Sequence, residues 1–340
     1  GAPARRETDT MDTFIDSSWY FLRYTDPHND TLPFAKDKAD AWMPVEQYIG
    51  GIEHAILHLM YCRFFQMVLS DLGLVETDIP FHNLMTQGMV LKDGAKMSKS
   101  KGNVVDPDDI IAEYGADTAR LFILFASPPE RDLEWSQQGV EGSYRFINRV
   151  WRIVQEYTEL FKTQPASGTE KLGKAEKDLR RIVHDSLHRV TRDIDERFSF
   201  NTAISAIMQL VNGLYQYKEQ PLEKQNLGVA REAVEILLLA LAPFVPHVSE
   251  ELWHRFGGEG SIHRQDWPAY DEEAAKADVV TIVVQINGKV RERVEVPAGS
   301  SNEAIQEVVF NEARVQHFIA DKNVVKTIVV PDKLVNIVVR

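Results

Sequence analysis

The spacing of hydrophobic positions near the start of the chain predicts alternating strands and helices. Residues 45–49 form a short apolar run that ends at Gly50 and Gly51, and residues 52–65 then carry apolar side chains at helical spacing. Residues 81–91 form a second apolar run of strand type. A strand, a glycine turn and a helix in succession predict part of a doubly wound α/β sheet, whose turn lies at the ligand-binding edge.

The middle of the chain shows the hydrophobic spacing of long helices. From residue 140 to about residue 256, apolar residues recur at helical spacing, with polar connections near residues 162–173 and 219–228. This pattern predicts an antiparallel helical bundle. Two predicted helix faces are rich in charge, one with Arg145, Arg149 and Arg152 and another with Arg181, Asp185, His188 and Arg192. Such faces either meet RNA phosphates or are simply solvated.

The last part of the chain predicts a small α+β module. Residues 281–286 and 289–296 are strand-like and flank Asn287 and Gly288, a pair that accommodates the positive φ values of a tight hairpin turn. Ser300 and Glu303 resemble a capping box for a helix that reaches about residue 319. Two further strand-like runs follow, at residues 324–330 and 334–339. Glycine-rich and acidic residues between positions 257 and 278 predict a linker before this module.

Composition narrows the class of protein. A chain of 340 residues with 44% hydrophobic and 26% charged residues fits a multidomain globular protein. A single cysteine, Cys62, excludes an internal disulfide framework and a cysteine-based zinc site, and it suits a reducing cytoplasm. No membrane-spanning segment or signal peptide is apparent, so we expect a cytoplasmic location. A net charge of -13 argues against non-specific coating of nucleic acid, although local basic faces could still bind RNA.

The strongest chemical signal directly follows the second predicted strand, where residues 96–100 read Lys-Met-Ser-Lys-Ser. Two ammonium groups three residues apart, together with the small hydroxyls of Ser98 and Ser100, predict a loop that binds a polyphosphate. Gly94 and Gly102 on either side predict that the loop is mobile and can close on this ligand. Lys96 and Lys99 would stabilise the charge that develops on a leaving pyrophosphate. By composition alone, the same string is also typical of a solvated surface loop.

Two histidines after the glycine turn at Gly50 and Gly51 are the other candidates for chemistry. His54 and His58 are four residues apart and are predicted to share a helix face, with Glu53 beside them. A zinc site would need a third ligand, which the pattern does not supply. The pair is therefore either a satisfied core pair or, because the helix dipole disfavours imidazolium near a helix start, two neutral rings that line an apolar pocket.

These motifs together resemble a known family. The string at 96–100 is identical to the signature loop of class I aminoacyl-tRNA synthetases, and residues 87–91 and 103–107 around it are also similar. Within that family the chain most resembles the bacterial leucyl branch. The segments that carry the resemblance are residues 14–23, 50–54 with His58, 96–103, 115–120, 132–135 and 287–289.

The resemblance implies a multidomain α/β plus α protein. It implies the C-terminal half of a Rossmann-type catalytic domain over residues 1–135, an all-α anticodon-binding-type bundle over 136–270 and a small α+β tRNA-binding domain over 278–340. The His-Ile-Gly-His signature and the editing domain of the family are absent from this sequence. We therefore expect a partial chain that is inactive alone and needs the N-terminal half of the enzyme, in cis or in trans.

The resemblance also assigns roles to residues. Leucine and the adenylate would be bound by Phe14, Ser17, Tyr20, Glu53, His54 and His58, and ATP by Gln87, Lys96, Met97, Ser98, Lys99 and Ser100. Lys96 and Lys99 would be catalytic, Mg²⁺ would accompany ATP, and no zinc ligands are expected. The implied reaction activates leucine with ATP and transfers it to leucine tRNA. The alternatives are a non-catalytic tRNA-binding module and a related enzyme for methionine, valine or isoleucine.

Overall fold

The computed structural model describes residues 3–164, 172–276, 279–320 and 322–340. The chain divides into two compact units. One is formed by Gly1–Trp151, Arg192–Ser205 and Pro243–Val248, and the other by Arg152–Thr191, Ala206–Ala242 and Ser249–Arg340. Within the described ranges, no helix is both long enough and apolar enough to cross a membrane.

The first unit contains the predicted α/β part. Its helices are α1 (Phe14–Ser17), α2 (Tyr20–Thr25), α3 (Lys36–Trp42), α4 (Leu57–Asp71), α5 (Pro107–Tyr114) and α6 (Ala116–Ala126). Its strands are β1 (Val45–Gly51), β2 (Phe81–Gln87), β3 (Val90–Lys92), β4 (Ala95–Lys96) and β5 (Leu133–Glu134). β1 and β2 pair in parallel, with Val45 opposite Phe81 and Gly51 opposite Gln87. The carboxyl ends of both strands therefore lie at the same edge.

The prediction of one continuous strand over residues 81–91 is wrong. β2 pairs with β1, whereas β3 belongs to another sheet, where it pairs in parallel with β5 and antiparallel with β4. The break falls at Gly88, whose backbone N–H donates to the Pro129 carbonyl over 2.9 Å. A Cβ at position 88 would lie 2.2 Å from the Arg131 carbonyl carbon, so the chain passes too close to that backbone for any side chain.

The predicted helix over residues 52–65 also begins differently. Ile52–His54 form a 3₁₀ turn, and α4 starts only at Leu57. His54 and His58 therefore do not share one continuous helix, although their ring centroids are 6.1 Å apart. Farther along the chain, the Asp106 side chain accepts from the Asp108 N–H and caps α5, with Pro107 in the first turn.

The middle of the chain is helical, as predicted. Its helices are α7 (Gln137–Thr163), α8 (Lys174–Asp195), α9 (Phe200–Lys218), α10 (Leu227–Leu241) and α11 (Pro246–Phe256). Part of the connection predicted at 162–173 lies outside the described residues. The other predicted connection contains a 3₁₀ turn at Leu222–Lys224, after which Asn226 caps α10 by accepting from two backbone N–H groups.

In the second unit, a charged cluster holds the connection that follows α11 against α8. Arg180 donates to both carboxylate oxygens of Glu232, over 2.9 and 3.1 Å, and to Asp271 over 3.3 Å. His184 Nε2 lies 3.2 Å from Glu232, and its Nδ1 accepts from the Asp271 N–H. The segment predicted as a linker is therefore fixed at Asp271, which also caps the short helix α12 (Glu272–Ala275).

The terminal module has a four-stranded sheet in the order β7-β6-β9-β8. Its elements are β6 (Val279–Ile286), β7 (Lys289–Pro297), α13 (Asn302–Asn311), α14 (Ala313–Ile319), β8 (Val324–Val330) and β9 (Leu334–Val339). The β6–β7 turn has φ values of 50° at Asn287 and 76° at Gly288, which confirms the predicted hairpin. Buried Ile282, Ile305 and Ile337 belong to the core that joins the helices to the sheet.

Two details of this module differ from the prediction. The helix is capped by Ser301, whose hydroxyl accepts from the Ala304 N–H, whereas the Ser300 hydroxyl donates to the Pro297 carbonyl. The single helix expected to reach residue 319 is two helices, α13 and α14, because the chain is extended at Glu312. Position 278, the predicted start of the module, lies outside the described residues.

Candidate active site

An apolar cavity of about 280 Å³ lies at the carboxyl edge of β1 and β2. The sequence-predicted residues around it are Phe14, Ser17, Tyr20, His54 and His58. The structure adds residues that sequence reasoning did not select, namely Tyr48, Ile49, Leu59, Leu84 and Thr86. The five predicted residues come from two segments, 14–20 and 54–58, and the fold brings these segments together.

Tyr48 organises the polar side of this cavity. Its hydroxyl lies 2.8 Å from the Tyr20 hydroxyl and 2.7 Å from His58 Nε2, so three side chains form one chain of hydrogen bonds. Burial and the hydrogen bond with Tyr20 raise the pKa of Tyr48. Burial, assisted by the nearby His54, lowers the pKa of His58. Both shifts favour the neutral forms of Tyr48 and His58.

The cationic loop is built from β4 and a 3₁₀ turn at Lys99–Lys101. Leu91 pairs with Lys96 across the β3–β4 hairpin, and Gly102 ends the turn with a φ of 65°. The Asn103 side-chain oxygen accepts from the Ser98 N–H over 2.9 Å, and the Ser98 and Ser100 hydroxyls lie 3.2 Å apart. Asn103, which sequence reasoning did not assign, therefore shapes the loop.

The loop and the cavity meet at Glu53. Its carboxylate lies 3.6 Å from Lys96 Nζ, and both side chains are exposed. The backbone N–H of Glu53 itself, followed by Lys96, lowers the pKa of this carboxyl against the opposing effect of desolvation. A Cβ at Gly51 would lie 2.3 Å from a Glu53 carboxylate oxygen, so the glycine leaves room for this side chain. A carboxylate and an exposed ammonium group thus stand beside an apolar cavity.

The remaining predicted residues lie on or beside the same edge. Gln87 is exposed at the end of β2, opposite Gly51, and does not line the cavity. Met97 is half-buried and its N–H donates to the Val90 carbonyl, which anchors the loop to β3. Lys99 is exposed. Across the described part of the chain, no group of three or more His, Cys, Asp or Glu side chains is arranged to hold a metal ion.

Two regions of the chain match known protein families. A family model described as tRNA synthetases class I (I, L, M and V) matches residues 3–136. A second model, described as the anticodon-binding domain of tRNA ligase, matches residues 176–308. The two models thus match the α/β part and much of the chain that follows it.

Individual relatives agree with the family models. A leucine–tRNA ligase of Symbiobacterium thermophilum is 53% identical over an alignment of 368 residues, which covers 100% of this chain and 43% of that protein. A LeuRS of Agrobacterium radiobacter K84, solved as a ternary complex with tRNA and LeuAMS, is 36% identical with a TM-score of 0.81. That match covers 98% of this chain and 43% of the other.

A more distant structure shares the fold. Methionyl-tRNA synthetase of Mycobacterium tuberculosis, in complex with methionyl-adenylate, is 21% identical with a TM-score of 0.56, and the match covers 70% of this chain and 48% of that protein. The chain thus spans less than half the length of each of these relatives. The whole chain is therefore a homologue of part of a leucine–tRNA ligase, and it contains regions that match the class I tRNA synthetase and anticodon-binding domain models.

Proposed function

We propose that the chain supplies part of the active site of a leucine–tRNA ligase. The observation that carries this proposal is the apolar cavity of Tyr20, Tyr48 and His58 beside Glu53 and Lys96. An apolar wall suits a branched aliphatic side chain, while the tyrosine hydroxyls and the imidazole supply a few fixed polar contacts. The adjoining cations suit the phosphates of ATP.

In the proposed reaction, the leucine carboxylate attacks the α-phosphorus of ATP, leucyl-adenylate forms and pyrophosphate leaves. Lys96 and Lys99 stabilise the negative charge that develops on the leaving group. Lys96 exchanges its weak ion pair with Glu53 for the phosphates, and Glu53 and Gln87 lie near the adenylate. A ribose hydroxyl at the tRNA 3′ end then attacks the leucyl carbonyl, and AMP leaves. The chemistry is positioning and electrostatic stabilisation without a covalent enzyme intermediate.

Mg²⁺ belongs to this proposal as the companion of ATP. Magnesium prefers carboxylate, phosphate and water oxygens. The loop carries ammonium and hydroxyl groups at Lys96, Ser98, Lys99 and Ser100, which suit phosphates better than a bare metal ion. The ion would therefore be held chiefly by the ATP phosphates, whose charge it would help to neutralise.

The α/β part exposes a stripe of large apolar side chains, which are normally buried inside a domain. Ile56, Met60, Phe64 and Met67 follow one another at helical spacing along α4 and the residue before it, and each is more than half exposed. β1 and β2 form a parallel sheet of only two strands, whereas parallel sheets are normally covered on both faces. We infer that the N-terminal half of the enzyme, in cis or in trans, covers this apolar stripe and completes the site.

The other partner in the proposal is leucine tRNA. The match to the anticodon-binding domain model supports this role for the second part of the chain. Because aminoacyl-tRNA is consumed by ribosomes, we expect the protein to work in the cytoplasm. The incomplete sheet also favours a second candidate, a tRNA-binding module that does not itself catalyse.

Amino-acid-dependent exchange of pyrophosphate into ATP tests the proposal. The chain is co-expressed with the part of the Symbiobacterium relative that lies outside the aligned region. We expect leucine to stimulate exchange more than methionine, valine or isoleucine. Lys99→Ala should lower the rate about 100- to 1000-fold, the usual effect of losing one preorganised donor. Lys101→Ala, an exposed lysine of the same turn, is the matched control and should change the rate by less than about tenfold.

Each unfavourable outcome identifies what is wrong. Full activity of Lys99→Ala would refute the role of that lysine. Stronger stimulation by another amino acid would reassign the substrate. Salt-sensitive tRNA binding without exchange for any amino acid would support the non-catalytic module.

A further inference from the structure

A second apolar cavity lies in the first unit and shares no lining residue with the cavity at the β1–β2 edge. Its volume is about 360 Å³. It is formed by the α5–α6 junction, one face of α7 and the first residues of α11. Its larger side chains are Tyr114, Tyr144, Ile147, Trp151, His247 and Val248. The proposed aminoacylation chemistry uses none of them.

Aromatic rings form much of the cavity wall. Tyr144 and Trp151 are seven residues apart on α7, with Asn148 between them, so these side chains project from one face of the helix. The Tyr114 ring packs edge-on against Tyr144, with 5.5 Å between the ring centroids and 70° between the planes. Tyr144 nevertheless stays 41% exposed. An exposed ring held in place by a second ring is a platform for stacking.

One polar side chain of the wall is fixed in orientation. His247 Nδ1 lies 2.7 Å from the carboxylate of Asp117, which is itself buried and also accepts from the Val248 N–H. The His247 side chain is 75% exposed. Because Nδ1 is already hydrogen-bonded to Asp117, Nε2 is the ring nitrogen that can form a hydrogen bond with a ligand. The imidazole thus adds a directional hydrogen-bonding group to the stacking surface.

Positive charge runs beside the aromatic face. Arg145 follows Tyr144 and Arg149 follows Asn148, so the two guanidinium groups lie on the neighbouring stripe of α7. Arg145 is exposed, and its contact with Glu141 is a long surface ion pair of 3.7 Å. Such a pair holds the guanidinium only weakly. Phosphates on either side of a ligand in the cavity would therefore meet cations.

We propose that this cavity holds one unstacked nucleobase of bound RNA. Single-stranded nucleotides are recognised by aromatic stacking, by hydrogen bonds to a base edge and by cations along the backbone. Here Tyr144 with Tyr114 supplies the stacking surface, and His247 supplies the hydrogen bond to a base edge. Arg145 and Arg149 supply the cations. A protein segment would use the apolar wall but would not need the cations. This inference rests on the proposed function, since it takes leucine tRNA as the RNA.

Binding of a leucine tRNA transcript to the full chain, measured at several salt concentrations, tests the site. Tyr144→Ala should weaken binding about 5- to 150-fold, the range for losing one base–aromatic stack. The slope of log affinity against log salt should not change, because no phosphate contact is lost. Arg145→Gln should reduce that slope by about 1. Tyr144→Phe keeps the ring and should bind like the wild type, as should Trp42→Ala, which removes an exposed aromatic side chain elsewhere.

A cross-linking measurement on the wild type keeps the inference testable if a variant loses its fold. Ultraviolet irradiation of the complex, followed by mass spectrometry, should attach a nucleotide to Tyr144 or Trp151. Equal affinity of Tyr144→Ala and wild type, or cross-links only elsewhere, would overturn the nucleobase site and leave the proposed function standing. Failure of the wild type to bind the tRNA would count against the proposed function and, with it, this inference.

Discussion

At the scale of single residues, the surroundings of Glu232 strongly lower the pKa of its carboxyl group. Burial raises the pKa of this carboxyl, but hydrogen bonds from His184 and Arg180 outweigh that effect and lower the pKa to about 2. Asp271 is the other acid that faces Arg180. The ionised form of Glu232 is therefore the form that the folded protein favours.

A depressed pKa in the folded state predicts a specific pH dependence. The stabilisation is fully present above the unfolded pKa of about 4.5 and is lost as the pH falls toward 2. At pH 7, Glu232→Gln should lower the free energy of unfolding by about 2–3 kcal/mol relative to wild type. That difference should shrink between pH 4.5 and pH 2. Denaturant titrations at a series of pH values measure it.

A matched control lies on the same helix. Glu235 is an exposed carboxylate of α10, and Glu235→Gln should change the free energy of unfolding by less than about 0.5 kcal/mol. A wild-type advantage over Glu232→Gln that persists unchanged down to pH 2 would contradict the depressed pKa.

The sequence predicts the residues of the candidate site unevenly. The lysines and serines of residues 96–100 can be read directly, because charge and hydroxyl spacing within one short loop are local properties. Tyr48 could not be selected, because its importance comes from Tyr20 and His58, which other segments bring within 2.8 and 2.7 Å of its hydroxyl. Asn103 is similar, since its role depends on how the loop folds back onto Ser98. The sequence alone therefore underpredicts residues whose contacts are tertiary.

At the scale of elements, the break between β2 and β3 illustrates a limit of hydrophobic periodicity. The apolar residues within 81–91 predict one strand, yet the chain changes sheets at Gly88, where the Arg131 backbone passes close by and after which β3 pairs with β5. Periodicity reports which residues prefer burial and does not report which neighbour will pair. By contrast, the Asn287–Gly288 hairpin was predictable because its turn conformation is a local property.

Gly88→Ala tests the importance of this break. The new methyl group would meet the Arg131 backbone at 2.2 Å, and backbone cannot move aside as a side chain can. We expect a loss of about 1–3 kcal/mol or more in the free energy of unfolding, the usual cost of overpacking. Gly50→Ala in β1 is the control, because a Cβ there meets nothing within 4 Å. Equal stability of the two variants, measured by denaturant unfolding, would contradict the close approach.

At the scale of the whole molecule, the apolar stripe on α4 predicts how the chain behaves with and without its partner. Phe64→Lys places a charge on an already exposed position, so the chain should fold as before and become more soluble. The same charge should weaken assembly with the N-terminal half at least tenfold, because it would be buried there without a counter-ion. Sedimentation measures the assembly. Ala112→Lys, which adds the same charge at an exposed position of α5 outside the stripe, is the charge-change control.

The burial of Cys62 has a practical consequence. It is the sole cysteine of the chain, its side chain is fully buried, and burial raises the pKa of its thiol to about 12. A thiolate is the form that reacts with maleimides and similar reagents, so this position should be inert to them. A cysteine introduced at Ser98 would then be the only reactive thiol. The protein therefore needs no prior removal of native cysteines before a spectroscopic label is attached to follow the 96–100 loop.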